Sequence, residues 1–329
     1  MDENINMETV SCADCETHHK FESEIIKGLK DNPKHLLSKY FYDQKGDVLF
    51  QQIMNMPEYY LTGCEMEIFS RKSDELAKAI QAFDAPFDLV ELGAGDATKS
   101  SHLLQYLVDQ NTDFTYMPID ISGNIISVLQ ERLSKEIPDL GLVGLNGEYF
   151  EMLDKANSIS ARRKVILFLG GNIGNMEVGE AHDFCNELRK KLNSGDMLLI
   201  GFDLKKDPDT ILSAYNDEAG ITAAFNLNLL ERINHELDAN FDIGKFKHYQ
   251  TYDPLSGACR SYVISLEEQK VVVGNELIDF KENEAIYMEI SQKYALEETD
   301  AMALKNGFQP LKKISDSKEW FIDAIWKVI

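Results

Sequence analysis

Apolar positions fall into two regimes along the chain. Between about residues 85 and 205, short continuous apolar runs alternate with amphipathic stretches. The runs at 87–92, 114–119, 165–170 and 197–203 read as strands. The run Val165-Ile-Leu-Phe-Leu-Gly170 has the unbroken apolar character of a strand buried on both faces of a parallel sheet. Residues 141–145 are a candidate third strand. Helical spacing of apolar residues over 100–108, 124–135 and 180–192 fills the intervals. Strand and helix in alternation predict a doubly wound α/β sheet.

Outside that stretch the pattern changes. A helix over 21–33 is predicted from the stripe Phe21, Ile25, Ile26, Leu29, ended by Asn32-Pro33, with a long helix over 65–83 after a break at Met56-Pro57. Helices at 209–215 and 223–237 precede strands at 248–252 and 260–266, joined by the turn Asp253-Pro-Leu-Ser-Gly257. A hairpin follows at 270–280 around a central Gly-Asn. A helix at 294–306 and strands at 310–314 and 320–328 close the sheet. The expected division is a mobile leader over 1–20, a doubly wound domain over 61–204 plus 291–329, and an α+β cap over 21–60 plus 205–290.

The first junction of the sheet carries the sharpest chemical signal. In Asp88-Leu-Val-Glu-Leu-Gly-Ala-Gly-Asp-Ala-Thr-Lys-Ser100 an apolar strand ends in a Gly93-x-Gly95 turn that opens directly into a helix. This arrangement brings a bound cofactor against backbone at a strand's carboxyl end. The second strand ends at Asp120, near the roughly 20-residue spacing of an acid that accepts ribose hydroxyls. The third glycine of a dinucleotide fingerprint and a P-loop Gly-Lys-Ser/Thr are both absent. Glu91, Gly93, Gly95 and Asp120 together resemble the S-adenosylmethionine site of a Rossmann-like methyltransferase.

Charge narrows the partners. With 33 basic and 56 acidic residues the net charge is −23, which repels phosphate backbones and disfavours a nucleic-acid substrate. No apolar stretch approaches the roughly 18 residues of a membrane span. Five cysteines, an odd number, with no export signal at the acidic N-terminus, suit a reduced, cytoplasmic protein. Cys12-x-x-Cys15 with His18 and His19 looks like half a metal site but sits in a polar leader without a core, so no bound metal is expected.

Further motifs lie where core packing does not ask for them. Leu169-Gly-Gly-Asn-Ile-Gly-Asn175 puts two asparagines at the carboxyl end of the fourth strand, where ligands of this architecture bind. Taken in order, Tyr40-Phe-Tyr-Asp-x-x-Gly-x-x-Leu-Phe50, Met56-Pro-Glu-Tyr-Tyr-Leu-Thr62, Glu91-Leu-Gly-Ala-Gly-Asp96, Phe168-Leu-Gly-Gly-Asn-Ile-Gly-Asn175, Gly201-Phe-Asp-Leu-Lys-Lys-Asp207 and Ala214-Tyr-Asn-Asp-Glu-Ala-Gly-Ile-Thr-Ala-Ala-Phe-Asn-Leu-Asn228 closely resemble the histidine Nα-methyltransferase family of ergothioneine biosynthesis. The resemblance runs from about residue 35 to the C-terminus.

That resemblance implies a Rossmann-like class I methyltransferase sheet with a substrate-binding cap, S-adenosylmethionine as cofactor and a free amino acid, L-histidine, as substrate. It implies that Gly93, Lys99 and Asp120 contact the cofactor, with Gly95 in the same turn and Glu148-Tyr149 at the adenine end, where the family often has Asp-Phe. Tyr42 and Phe50 would line the cleft between cofactor and substrate, and Asn175 and Tyr215 would hold the substrate carboxylate. Tyr59, Glu289 and Ser291 would hold the imidazole. Glu289 and Ser291 lie two apart on an expected strand and so share one face. Tyr42, the Gly170 carbonyl and Asn172 would hold the reacting amine. Two positions depart from the family: Ser261 replaces an apolar Met beside the ring, and Asn172 replaces a small hydroxyl residue. Both leave open a different amino acid or a histidine derivative as substrate, and a non-catalytic relative that binds the cofactor is a further alternative. The chain is expected to act as a monomer, with no nucleic-acid or membrane partner.

Overall fold

The computed structural model describes residues 12–82 and 84–329, with side chains from His18 onward. The chain divides into two compact units: one comprises the chain up to Met56, Leu212–Thr251 and Arg260–Glu289, the other Pro57–Ile211, Tyr252–Cys259 and Ile290–Ile329. The sequence pattern put these boundaries at 60/61, 204/205 and 290/291 and did not separate out the turn around Asp253 to Gly257.

The second unit is built on a seven-stranded sheet. Its strands are β1 (Phe87–Leu92), β2 (Phe114–Asp120), β3 (Leu145–Asn146), β4 (Arg163–Phe168), β5 (Met197–Asp203), β6 (Phe308–Ser315) and β7 (Phe321–Val328). Across the sheet they run β3-β2-β1-β4-β5-β7-β6. The first five are parallel, whereas β7 lies antiparallel to both β5 and β6. The order reverses beside β1, so the carboxyl ends of β1 and β4 flank the switch point at which this architecture binds ligands. All six residues of β1 and all seven of β5 are buried, which explains why their sequences show no alternation. Val90, Ile119, Phe168, Phe202 and Trp326 pack in one continuous core with the helices Tyr149–Ile159, Val178–Lys191 and Leu296–Lys305.

Three expectations need correction. The third strand is two residues long, with only a bridge from Leu142 to Tyr116 before it. Gly141 and Gly144 supply no side chains to pack there, which weakens an edge strand. The predicted helix over 65–83 is two helices, Tyr60–Arg71 and Ser73–Ala79, broken at Lys72. The Lys72 ammonium reaches the Ser315 carbonyl at 2.7 Å, and the Ser73 hydroxyl turns back on the Phe69 carbonyl. The first helix, described over Cys12–Lys30, takes in part of the expected leader.

The first unit combines helices Gln44–Met54 and Ile221–Glu236 with the greater part of a four-stranded sheet. The sheet order is Lys34–His35, Ala285–Gln292, Ala258–Ser265, Phe246–Asp253. A hairpin of Gln269–Val273 and Glu276–Phe280 pairs separately. Phe241, Phe246 and Phe280 pack in tilted and edge-to-face arrangements at centroid separations of 5.5–6.1 Å. The strand Ala285–Gln292 alternates throughout, with Ile286, Met288 and Ile290 buried and Tyr287, Glu289 and Ser291 on the half-exposed face.

Candidate active site

In the second unit the sequence-predicted cofactor residues converge on the turn after β1. Gly93 (φ +70°), Gly95 (φ +52°) and Ala97 (φ +50°) all adopt left-handed backbone. Glycine suits position 93, where the backbone is one L side chains rarely adopt and a Cβ would stand 2.6 Å from the Tyr149 hydroxyl. The turn is tied to β2 by N–H bonds from Gly93 and Ala94 to the Ile119 carbonyl at 2.9 and 3.1 Å. Asp120, at the end of β2, accepts the Gly95 N–H on Oδ2 (3.2 Å) and the Ser122 N–H on Oδ1 (3.0 Å). Each carboxylate oxygen retains acceptor capacity, as a pair of vicinal ribose hydroxyls requires. Burial, then the charges of Asp120 and Glu148, push the Tyr149 phenol above its ordinary pKa. Glu148 is exposed at the N-cap of the helix Tyr149–Ile159.

Beneath this turn lies a buried polar cluster. Glu91 is buried in β1 and accepts from the Tyr116 hydroxyl at 2.5 Å; burial pushes its carboxyl up to about 7, against the pull of Tyr116 and Ser100. Lys99 pairs with Glu65, which is almost wholly buried. Both Glu65 oxygens also accept the Gly170 N–H, at 2.8 and 2.9 Å. A Cβ on Gly201 would stand 2.6 Å from Glu65 Oε1, so β5 leaves room for this carboxylate by lacking a side chain. Asp323 on β7 pairs in register with Gly201. It is fully buried without a hydrogen-bond partner, and burial and then Glu65 hold its carboxyl well above the usual range. Glu65 thus joins the cofactor turn, through Lys99, to the loop after β4, through Gly170.

That loop turns through Asn172–Asn175, with Asn172 half-buried and Asn175 exposed. Gly174 packs on the Gln292 carbonyl, where a Cβ would stand at 2.8 Å. Close in sequence to Gln292, Lys293 is fully buried; its ammonium donates to Ser291 Oγ at 2.8 Å and lies 2.7 Å from Asp203 Oδ2. Asp203, at the end of β5, also accepts from the Tyr60 hydroxyl (2.9 Å) and from Lys206. Burial draws the Lys206 ammonium below its ordinary pKa against the opposing charge of Asp203. Tyr59 is half-buried just before the helix Tyr60–Arg71.

In the first unit Tyr42 and Phe50 come together against Phe225, with centroids 5.4–5.9 Å apart. Tyr215 is buried, and its carbonyl lies 3.1 Å from His248 Nε2. Ser261 is buried and donates to Gln250 Oε1 at 2.6 Å, a partner that sequence reasoning did not supply. His18 Nε2 lies 3.0 Å from the Glu236 carbonyl. Cys12 and Cys15 lie outside the described side chains. Among the described residues no cluster of His, Cys, Asp or Glu is arranged to hold a metal ion, and no helix is long and apolar enough to cross a membrane.

Glu65, Asp203, Lys206, Lys293 and Phe225 were not singled out from sequence. A signal existed for two of them. Glu65 interrupts the apolar stripe Leu61, Cys64, Ile68, Phe69 of its helix, all of it buried. Asp203 ends the fifth strand at the ligand-binding edge of the sheet.

A sheet ordered β3-β2-β1-β4-β5-β7-β6, with β7 reversed, a glycine turn after β1 and an acid at the end of β2, defines a Rossmann-like class I methyltransferase. The chain belongs to the family of histidine-specific, SAM-dependent methyltransferases, whose model matches residues 21–328. It is 33% identical to the histidine N-alpha-methyltransferase of Mycobacterium tuberculosis, over 84% of this chain and 85% of that protein. It is 30% identical to ergothioneine biosynthesis protein 1 of Schizosaccharomyces pombe over 84% of this chain, but spans only 37% of that longer protein. The 4-dimethylallyltryptophan N-methyltransferase of Claviceps fusiformis is 30% identical over 64% of this chain and 61% of its own length.

Proposed function

We propose that this enzyme methylates the α-amine of free L-histidine, using S-adenosylmethionine and proceeding to the trimethylated product. The observation that carries the reading is family membership across residues 21–328 together with identity to a histidine N-alpha-methyltransferase over most of both chains. In this reading Gly93, Gly95, Lys99, Asp120, Glu148 and Tyr149 hold the cofactor. Its fit is supported by the left-handed turn at Gly93 and by the acceptor capacity of Asp120. Asn175 and Tyr215 hold the substrate carboxylate, and Tyr59, Glu289, Ser291 and Ser261 surround the ring.

When bound, S-adenosylmethionine supplies an electrophilic methyl group on a sulfonium that is its own leaving group. The protein has to orient the amine and exclude water around it. The substrate ammonium first loses a proton to solvent. The neutral nitrogen is then held by the Tyr42 hydroxyl, the Gly170 carbonyl and Asn172. Gly170 suits this task because Glu65 fixes its N–H. The faces of Tyr42, Phe50 and Tyr59 stabilise the cationic product. We further propose that it acts as a monomer, in the cytoplasm and without a nucleic-acid partner; the net charge of −23 and the thiols of Cys64 and Cys185 support the last two.

A second reading, transfer to another amino acid, draws on the Claviceps relative, whose name gives a substituted tryptophan as substrate. Mass spectrometry of purified enzyme incubated with S-adenosylmethionine and each standard amino acid in turn tests both. Stepwise gain of up to three methyl groups on histidine alone supports the first. Products from a different amino acid, with none from histidine, overturn it in favour of the second.

A further inference from the structure

We propose that Asn228 is a positioning residue for methyl transfer: through Asp43 it sets the place of Tyr42. This rests on the reading of Tyr42 as a group that holds the reacting amine.

Asn228 lies in the middle of the helix Ile221–Glu236 and is 1% exposed. Asparagine is a weak helix former, and a buried amide costs stability unless it is hydrogen-bonded. Neither helix formation nor apolar packing asks for it at this position. Its Nδ2 donates to Asp43 Oδ1 at 2.8 Å. The same oxygen accepts the Gly46 N–H at 2.6 Å, so the carboxylate that caps the helix Gln44–Met54 is also held from the side by Asn228. Asp43 directly follows Tyr42, and Phe50 lies on the helix that Asp43 caps.

The contact is one of a series along a single face of the helix. Phe225 packs on Phe41 with ring centroids 4.9 Å apart, Glu231 pairs with Lys45, and Arg232 donates to the Tyr40 carbonyl at 3.0 Å. Positions 225, 228 and 232 follow the i, i+3, i+7 spacing of one helix face, and 231 stands beside them. Tyr42 therefore lies between fixed points, with Tyr40 and Phe41 before it and Asp43 after it. Its side chain is 43% exposed, and its ring meets Phe50 and Phe225 edge to face at 5.4 and 5.8 Å. Apolar contact is non-directional, so the backbone held at Asp43 decides where the phenol hydroxyl stands. Transfer is sensitive to that placement: a misplacement of about 1 Å can cost about a hundredfold in rate.

The test is a double-mutant cycle on kcat, read as formation of S-adenosylhomocysteine with the amino acid that the wild type methylates. Tyr42→Phe alone is expected to slow transfer about tenfold and Asn228→Ala alone about three- to tenfold. Because Asn228 acts through Tyr42, the double variant is expected to stay within about twofold of Tyr42→Phe. Calorimetry is expected to give Asn228→Ala the wild-type affinity for S-adenosylhomocysteine, since the glycine turn that takes the cofactor belongs to the other unit. Losses that multiply in the double variant overturn the proposal, and so does an Asn228→Ala enzyme that turns over at the wild-type rate. A loss of cofactor affinity as large as the loss of rate also overturns it, because a general weakening of the fold then explains both. Should Asn228→Ala fail to fold, Asn228→Ser takes its place in the cycle and is judged by the same outcomes. A Tyr42→Phe enzyme with wild-type kcat instead refutes the reading of Tyr42 itself.

Discussion

Replacing Glu65 by Gln tests whether one buried carboxylate joins the cofactor turn to the substrate loop. The change keeps the shape of the side chain and removes its charge. In the wild type both oxygens accept the Gly170 N–H and one also holds Lys99. A hydrogen bond to a charged group contributes about 1.5–3 kcal/mol, and removing one partner of a buried ion pair costs about 3–5 kcal/mol. Two features reduce the sum. The Lys99 side chain is 25% exposed and regains some hydration. Asp323, kept neutral by burial and by the charge of Glu65, becomes free to ionise beside Lys99 and replace part of the lost attraction. A net loss of about 2–4 kcal/mol follows, equivalent to a fall of about 4–16 °C in melting temperature for a domain of this size. Urea denaturation gives the stability, and calorimetry with S-adenosylhomocysteine and histidine gives the coupling. Both ligands are expected to bind more weakly, because Lys99 and Gly170 lose the same anchor. A stability loss below about 0.5 kcal/mol, or a large loss with both affinities intact, would refute the reasoning.

Three further outcomes follow from the same geometry. Glu91 has its folded pKa raised to about 7, so its neutral form is favoured: the associated stability is complete below the unfolded pKa, about 4.3, and is lost as pH rises toward 7. Glu91→Gln removes that slope and is expected to gain about 3 kcal/mol relative to wild type between pH 4.5 and pH 7.5, read from urea midpoints, with parallel curves counting against it. Glu289→Ala is expected to raise the histidine dissociation constant roughly 10- to 100-fold while leaving S-adenosylhomocysteine binding unchanged, and an unaltered histidine affinity would exclude its contact with the ring. Tyr42→Phe is expected to slow methyl transfer about tenfold with little effect on cofactor binding; equal losses in both would remove Tyr42 from the amine site.

What the sequence determined by itself was local or periodic. Apolar runs announced β1, β2, β4 and β5, because a strand covered on both faces has no solvent-facing side and so shows no alternation. The Gly93-x-Gly95 turn and the acid at Asp120 were legible because steric freedom and charge belong to single residues at a fixed spacing. The alternation that places Glu289 and Ser291 on one face was legible for the same reason. Only the tertiary structure decided the rest. It broke the helix at Lys72 by way of Ser315, shortened β3 at the sheet edge and gave Ser261 a partner in Gln250. It also made ion pairs between residues far apart in the chain: Glu65 with Lys99, and Asp203 with Lys293. A charged residue read in sequence looks like a solvated one. It becomes part of a site only when folding removes its water and leaves another side chain as its sole compensation.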